Sequence, residues 1–504
     1  MNVGKKILIA CFLLTQLIAC TLIGPDFEKP EVTLQDEWID SDGSTLETSD
    51  VKQSKWWLVF NDPVLERLVE LAWQQNNSLE IAGLRVLETQ AQLGIAEGNR
   101  YPQSQVIIGD AARISPADTA GGGSNFSSYS LGASASWELD FWGRFKRGIE
   151  SADADFLASI AARDQVMVLL TAQVVDTYTV VRISEEQLRI AHENEVIQQR
   201  SYDIASVLYR NGEDSELDMQ QAQTLLLSTQ ATIPGFEITL RQTRNALSTL
   251  LGKPPGTVDD LMTGEQSIPA LPDKVEIGIP ADLLRRRPDV RQAELQAMAQ
   301  NARVGFAETD LYPRFSLIGS IGLTSGGAGS SNFGDLFSSD ALTYSFGPSF
   351  VWPFLNYDRI VNNVRVQDSR LQQALINYRE VVLQASREAE DAMVALNGTQ
   401  QEVKILIETV ESARRSNNLS TLRYREGFSD YQRVLDSQQA LFSQQQNLVS
   451  SHGASVRSLI ALYKALGGGW QDQTDLPLIS EQSREQMDQR TNWGEILVPQ
   501  DVSE

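Results

Sequence analysis

Histidine and cysteine are nearly missing from this 504-residue chain, which has two of each. So few, and so scattered, leave nothing at the spacing of a zinc or redox site. His192-Glu193 lacks the second histidine of an H-E-x-x-H motif, and His452 stands among polar helix residues. No G-x-S-x-G elbow or phosphate-binding P-loop occurs, and 66 acidic residues are too many for any carboxylate pair to stand out. No enzyme class is supported. Positive charge is scarce as well: 42 basic against 66 acidic residues give 42 − 66 = −24. That field repels phosphate backbones and disfavours nucleic acid as a partner. Glycine and proline are not enriched, which excludes collagen-like and low-complexity classes, and 42% hydrophobic residues suffice for a core.

Long apolar runs are also wanting. The longest, Ile7 to Ala19, follows Lys5 and Lys6 and is shorter than the roughly twenty residues that a spanning helix needs. It reads as a signal peptide. The run ends in Leu17-Ile18-Ala19-Cys20, which resembles a bacterial lipobox, so Cys20 is the expected lipidation site. A plain secretory signal with an incidental cysteine is the alternative. Cleavage before Cys20 leaves 504 − 19 = 485 residues with Cys20 as their one cysteine, and Thr21 in place of an aspartate implies sorting to the outer membrane. No later stretch has about twenty consecutive apolar residues, so any crossing is expected to be made by strands.

The chain is two copies of one plan. Gly94-Ile95-Ala96-Glu97 with Tyr101-Pro102 recurs as Gly305-Phe306-Ala307-Glu308 with Tyr312-Pro313, a shift of 305 − 94 = 211. Tyr129-Ser130-x-Gly132 recurs as Tyr344-Ser345-x-Gly347, and Tyr209-Arg210-x-Gly212 as Tyr424-Arg425-x-Gly427, both shifted by 215. Ordered matches at nearly one offset mean an internal duplication of domain size.

Each half runs helix, two strands, two long helices. Val64 to Arg100 has apolar residues at helical spacing after Asp62-Pro63, and Tyr101-Pro102 ends it. From 129 to 140, Leu131, Ala133, Ala135, Trp137 and Leu139 alternate with small or polar residues. Phe315, Leu317, Gly319, Ile321 and Leu323 repeat the pattern, as do Tyr344, Phe346, Pro348, Phe350 and Trp352. About ten alternating residues ending in aromatics suit a tilted membrane strand. A soluble half-buried sheet is the alternative. In the fourth strand, 103 to 114, Asp110 and Arg113 break the pattern. Gly/Ser-rich loops join the strands, and Gly121-Gly122-Gly123 reads as an exterior loop. Four strands cannot enclose water, yet a sheet in lipid must close, so several chains must pool strands; three copies give 3 × 4 = 12.

No proline interrupts Arg144 to Arg210. Some 65 helical residues span close to ~100 Å, too long to hide in one globular domain. Gly212 and Gly427 are placed as helix stops, and helical runs return from about Glu216 to Leu251 and Tyr431 to Leu466. Gln220, Gln221, Gln438 and Gln439 suggest a wet face. A coiled-coil stalk without a lumen competes with a tunnel here. The organisation is therefore 1–19 signal, 20–63 anchor and equatorial segment, 64–102 helix, 103–143 strand pair and 144–252 helical tunnel. Then come 253–280 equatorial linker, 281–313 helix, 314–358 strand pair, 359–469 helical tunnel and 470–504 acidic tail. The start of that tail and the 252–280 stretch are expected to form a belt around the helices.

Four motifs carry a family resemblance. They are Gly24-Pro25-Asp26-Phe27-x2-Pro30, Trp56-Trp57-x2-Phe60-x-Asp62-Pro63-x-Leu65-x2-Leu68, Asp282-Leu283-Leu284-Arg285-Arg286-Arg287-Pro288-Asp289-Val290-Arg291-x2-Glu294 and Ala465-Leu466-Gly467-Gly468-Gly469-Trp470. The chain resembles TolC-type outer-membrane efflux lipoproteins of the OprM/NodT branch over nearly its whole length. The resemblance implies a mixed α and β fold: a homotrimeric channel with four strands per chain in a shared 12-stranded barrel, continuing into an α-helical periplasmic tunnel with an equatorial domain. It implies a periplasmic adaptor and an inner-membrane pump of the resistance-nodulation-division class as partners. No cofactor is implied beyond covalent lipid on Cys20.

By the same resemblance, Arg423 and Tyr424 tether the closed helices to their neighbours, Asp436 forms an acidic constriction ring, and the tips at Gly212 and Gly427 meet the adaptor. Three Asp436 carboxylates on a threefold axis would repel and attract cations. Gln432 stands where related channels often carry an apolar seal, and a hydrated or hydrogen-bonded ring is expected instead. The implied function is a passive exit duct for drugs or other small molecules. A duct for metal ions or a secreted protein, and a lipid-anchored scaffold without a pore, are the other readings.

Overall fold

The computed structural model describes residues 22–32, 38–39, 46–48, 54–115, 125–262, 267–272, 275–277, 286–325, 332–471 and 476–497. The signal segment, Cys20, Gly121-Gly122-Gly123 and residues 282–285 lie outside the described residues. In chain order the elements are β1 (Leu46–Thr48), α1 (Pro63–Gln75), α2 (Asn77–Gly98), β2 (Ser104–Ile114), β3 (Phe126–Leu139), α3 (Arg144–Arg210) and α4 (Glu216–Leu250). They continue as β4 (Val275–Ile277), α5 (Pro288–Glu308), β5 (Arg314–Ser325), β6 (Leu342–Val351), α6 (Arg359–Arg425), α7 (Gln432–Ala465) and α8 (Glu481–Arg490). Helices α3 and α6 are each 67 residues long and begin 359 − 144 = 215 positions apart, which is the duplication in three dimensions. The chain divides into two compact units.

One unit takes Met1–Pro30, Leu87–Ser159 and Ala293–Tyr378. Its sheet has the order β2-β3-β5-β6, antiparallel throughout. Directly opposed residues share a face, and the register sorts the two chemistries. One row runs Ile107, Ala133, Ile321, Tyr344; the adjacent row on the other face runs Val106, Ser134, Ser320, Ser345. Ser320 and Ser345 share a hydrogen bond of 2.8 Å. Asp110, which breaks the sequence pattern, sits opposite Ser130 on the polar face. The apolar face is bare: Ile107 is 82% exposed, Tyr344 79% and Phe346 81%. The outer edges of β2 and β6 pair with no strand among the described residues.

The same unit anchors the start of the chain. Arg147 is buried and donates to the carbonyls of Ile23 (3.0 Å) and Gly24 (2.9 Å) and to Asp26 (3.0 Å) and Glu150 (2.8 Å). Asn301 donates to the Pro25 carbonyl at 2.8 Å, and Lys29 pairs with Glu294 at 2.6 Å. Gly24 has φ +88, and a Cβ there would lie 2.3 Å from Gly305 Cα. The Gly-Pro-Asp motif is thus a clasp, whose glycine serves both backbone angle and close approach.

The other unit takes Glu31–Val86, Ile160–Gln292 and Arg379–Glu504. The stretch from Val64 to Arg100 is two helices rather than one. Asn76 breaks it in an extended conformation, its side chain accepting from Leu79 N (3.0 Å) and donating to the Leu250 carbonyl (2.9 Å). Asp62 caps α1 through Val64 N and Leu65 N, with Pro63 as the first helical residue, and also accepts from the Tyr178 hydroxyl. Trp56 stacks on Tyr463 at 5.1 Å, and Trp57 meets Trp73 edge-on at 5.0 Å. Leu65, Leu68, Val174, Val175, Met393, Leu396 and Leu459 complete this core. One window of α3 is long and apolar enough to cross a bilayer by composition, but Met167, Leu170, Val174 and Tyr178 are core residues. Burial against neighbours explains that apolarity. β1 and β4 pair in parallel, and Ser480, the cap of α8, donates to Glu80 at 2.6 Å. Gln438 does not lie on a wet face. It is 1% exposed and donates to Ser201 at 2.6 Å, while Asn194 donates to Gln445 at 2.8 Å, because facing helices pack glutamine and serine together in polar layers.

The Arg-Arg-Pro-Asp and Ala-Leu-Gly-Gly-Gly motifs meet in this unit. Buried Arg287 donates to the Ala465 carbonyl at the end of α7 (2.6 Å), to both oxygens of Asp289 (3.0 and 2.6 Å) and to Glu388 (2.9 Å). Arg287→Ala orphans a helix-end carbonyl and a carboxylate, a loss of about 3 kcal/mol. Arg287→Lys should recover only part of it, for want of a planar fork. Thermal melting in detergent checks the order wild type, lysine, alanine; three equal midpoints would contradict it.

Candidate functional site

The ends of α3 and α6 and the starts of α4 and α7 carry the residues that the sequence singles out. Both long helices stop the same way. Gly212 and Gly427 have φ +76. Gly212 N donates to the Tyr209 carbonyl (3.0 Å) and Glu213 N to that of Leu208 (2.9 Å). Gly427 N likewise donates to Tyr424 (2.9 Å) and Phe428 N to Arg423 (2.8 Å). These paired bonds are Schellman caps, and the left-handed angle is why glycine recurs at both positions. A Cβ at either would meet nothing within 4 Å, so both turns stand clear of their own chain.

Between the caps lies a small cluster of Ala205, Ala222, Tyr424, Tyr431 and Val434, bordered by Tyr202, Ile204, Leu208 and Leu435. Tyr424 and Tyr431 meet edge-on at 5.3 Å. The Tyr424 hydroxyl donates to Asp214, whose other oxygen accepts the Ser215 amide at 2.8 Å. Ser215 then caps α4 by accepting Asp218 N at 3.2 Å. Burial, helped by the Asp214 charge, lifts Tyr424 far above the ordinary phenol range, and burial pushes Tyr431 up to about 12. Both stay neutral; Tyr424 donates, whereas the buried Tyr431 hydroxyl has no partner among the described residues. Burial also pushes Asp218 up to about 6, helped by the hydrogen bond and charge of Asp214 and by the charge of Asp430. Asp214 is lowered: burial opposes its charge, but hydrogen bonds from Asp218 and Tyr424 and from the Ser215 amide outweigh it. Of the two carboxylates, Asp218 is the one that holds its proton more tightly.

The four predicted gate residues fall into three settings. Gln432 donates to Asp436 at 2.8 Å and accepts from Gln221 at 3.3 Å, with Gln432 and Asp436 both exposed. Tyr424 belongs to the buried cluster. Arg423 is exposed, and its side chain has no hydrogen bond or ion pair among the described residues; its carbonyl closes the cap. Asp214 and Asp218 are the residues that the sequence reading missed. A signal was available in the duplication. At the offset of 215, Asp214 and Ser215 align with Ser429 and Asp430, and buried Tyr424 aligns with Tyr209, which is 38% exposed. The repeat diverges where the cluster forms.

Asp218 holds its proton more tightly here than in an unfolded chain. Its support of the tips is full below about pH 4 and is lost as pH rises through about 6; the lowered Asp214 acts in the opposite sense, losing its support only at still lower pH. Hydrogen exchange of residues 208–220 and 424–436, corrected for intrinsic rates, should therefore speed up between about pH 5 and about pH 7. Asp218→Asn should flatten that profile, and Tyr424→Phe should lower protection by about 1–2 kcal/mol. An unchanged profile in Asp218→Asn would refute the role of Asp218 in it.

A family model described as outer membrane efflux protein matches residues 68–253 and 279–468, two blocks that each contain one pair of long helices. The toluene efflux pump outer membrane protein TtgI of Pseudomonas putida is 31% identical over 468 residues, 91% of this chain and 97% of that protein. The cation efflux system protein CusC of Escherichia coli is 30% identical over 467 residues, 92% of this chain and 99% of that one. Among solved structures, the outer-membrane channel OprN aligns with a TM-score of 0.83 and 31% identity, covering 89% of this chain and 99% of that chain. With both repeats matched and the four-strand sheet and paired long helices in place, the chain belongs to the outer membrane efflux protein family.

Proposed function

We propose that three copies of this chain form the outer-membrane exit duct of a tripartite efflux system, passive in itself, for small organic compounds. The observation that carries this reading is the open sheet of β2, β3, β5 and β6, with a bare apolar face, a serine-lined face and two unpaired edges. In lipid each unpaired edge group costs several kcal/mol, so the edges must meet those of other copies. Strand directions alternate, so β6 of one copy meets β2 of the next antiparallel, and 3 × 4 = 12 strands close. Lipid on Cys20 holds the subunit at the membrane. An inner-membrane pump of the resistance-nodulation-division class supplies the energy, and a periplasmic adaptor meets the turns at Gly212 and Gly427. For cargo, two histidines and seven methionines without a run of either give a metal ion no ladder of soft ligands, which favours organic compounds.

At the tips, Tyr424 and Asp214 latch α6 to the start of α4 within one subunit. Gln432 and Asp436 form a hydrogen-bonded polar ring with their copies, and Arg423 is the cation left to bridge to a neighbouring subunit. Single-channel conductance in planar bilayers tests the duct: current through purified protein is expected, and none at all would favour a scaffold. Gln432→Leu should change the closed-state conductance, because it removes both amide bonds, and Arg423→Ala should raise it. Conductance unchanged in both would remove the gate from this account. Deleting the gene should increase sensitivity to exported compounds; unaltered susceptibility to all of them would point to another cargo.

A further inference from the structure

A second feature lies in the sheet-bearing unit, where β3 ends and α3 begins. A cleft of about 620 Å³ is lined by Leu22, Leu93 and Ile149 and by two cations, Arg100 and Lys146, with four carboxylates, Glu97, Asp140, Glu150 and Asp153. Two of the carboxylates are committed. Asp140 accepts the amides of Phe145 (3.1 Å) and Lys146 (2.9 Å), and Glu150 pairs with Arg147 at 2.8 Å. Arg100, Lys146, Glu97 and Asp153 have no side-chain hydrogen bond or ion pair among the described residues. The cleft therefore offers two free cations and two free anions. Arg100 and Asp140 also line an adjoining cleft of about 570 Å³ with Tyr101, Pro102 and Trp137, whose indole donates to the Arg100 carbonyl at 3.2 Å. A charged pocket thus opens onto an exposed aromatic shelf, Tyr101 being 69% and Trp137 38% exposed.

We propose that this double cleft binds a zwitterionic phospholipid of the inner leaflet, of the phosphoethanolamine class. The phosphodiester sits between Arg100 and Lys146, the ammonium meets Glu97 and Asp153, and an acyl chain lies along Trp137 and Tyr101. Three observations select a lipid. The clefts lie at the sheet end where tryptophan and tyrosine surface, as they do at membrane interfaces. The shelf is apolar beside charge. Leu22, a lining residue, stands two positions from Cys20, packed so closely on Gly143 that a Cβ there would come within 2.3 Å of its side chain. An anionic headgroup fits worse, because its one negative charge would leave Glu97 and Asp153 without a cation. The site is separate from the tips and rests only on the sheet being in the membrane.

Native mass spectrometry of the whole trimer in detergent, titrated with phosphatidylethanolamine or phosphatidylglycerol of identical acyl chains, tests it. The wild type should retain phosphatidylethanolamine in preference. Arg100→Gln with Lys146→Gln should weaken that binding about tenfold or more, and Glu97→Gln with Asp153→Asn should shift preference towards phosphatidylglycerol. Equal retention of both lipids by the wild type, or wild-type binding in the Arg100/Lys146 variant, would overturn the proposal. If a double variant fails to form trimers, the single exchanges Arg100→Gln and Glu97→Gln carry the same two expectations. Single-channel conductance should match the wild type in every variant, so a failed lipid site is distinguishable from a failed duct.

Discussion

Backbone hydrogen bonding at the two edges of the four-stranded sheet governs this molecule. Within one chain, β3 and β5 are paired on both sides, whereas β2 and β6 each expose a row of amides and carbonyls. Water would satisfy those groups, but the row of Ile107, Ala133, Ile321 and Tyr344 is apolar and uncovered. Lipid suits the apolar row and leaves the edges unsatisfied. Both demands are met only when edges pair between copies, which encloses the serine face around water.

The helical unit answers a different problem. Its helices cannot be wholly apolar if one side is to border water, nor wholly polar if they are to pack. The compromise is a tight aromatic and aliphatic core around Trp56, Trp57, Tyr178 and Tyr463, with polar layers such as Gln438 on Ser201 and Asn194 on Gln445 along the long helices. Layers of hydrogen-bonded side-chain amides hold register while losing less on separation than hydrocarbon would, because water can replace each bond. At the tips of the long helices, cohesion among the described residues rests on a small cluster and a few polar bonds, among them Tyr424 to Asp214 and Gln221 to Gln432.

Much of this was legible in the sequence because it depends on local chemistry. Strand faces follow from alternation, and the glycines that end α3 and α6 follow from the left-handed angle of a helix cap. The duplication could be read from motif offsets alone. What escaped notice depends on partners distant in sequence. Nothing local announces that Asn76 turns the chain to bond Leu250, or that Gln438 is buried against Ser201. Asp214 and Asp218 looked like two more acids among 66, and only the fold sets them under Tyr424. Nothing local marks Arg147 either, yet it closes the clasp on the Gly-Pro-Asp motif.

Edge pairing between copies is most directly measured by crosslinking. With Cys20 lipidated, a cysteine at Tyr344 on β6 combined in turn with one at Gln105, Ile107, Gly109, Ala111 or Arg113 on the same face of β2 supplies the free thiols of the mature chain, because barrel closure staggers the register between copies. A short bismaleimide applied to this protein in outer-membrane vesicles should yield covalent dimers and trimers, with trimer as the limiting species on denaturing gels. Monomer alone for every combination, with both thiols reactive to a small maleimide, would show that the edges of β2 and β6 face no sister strand and would contradict the account.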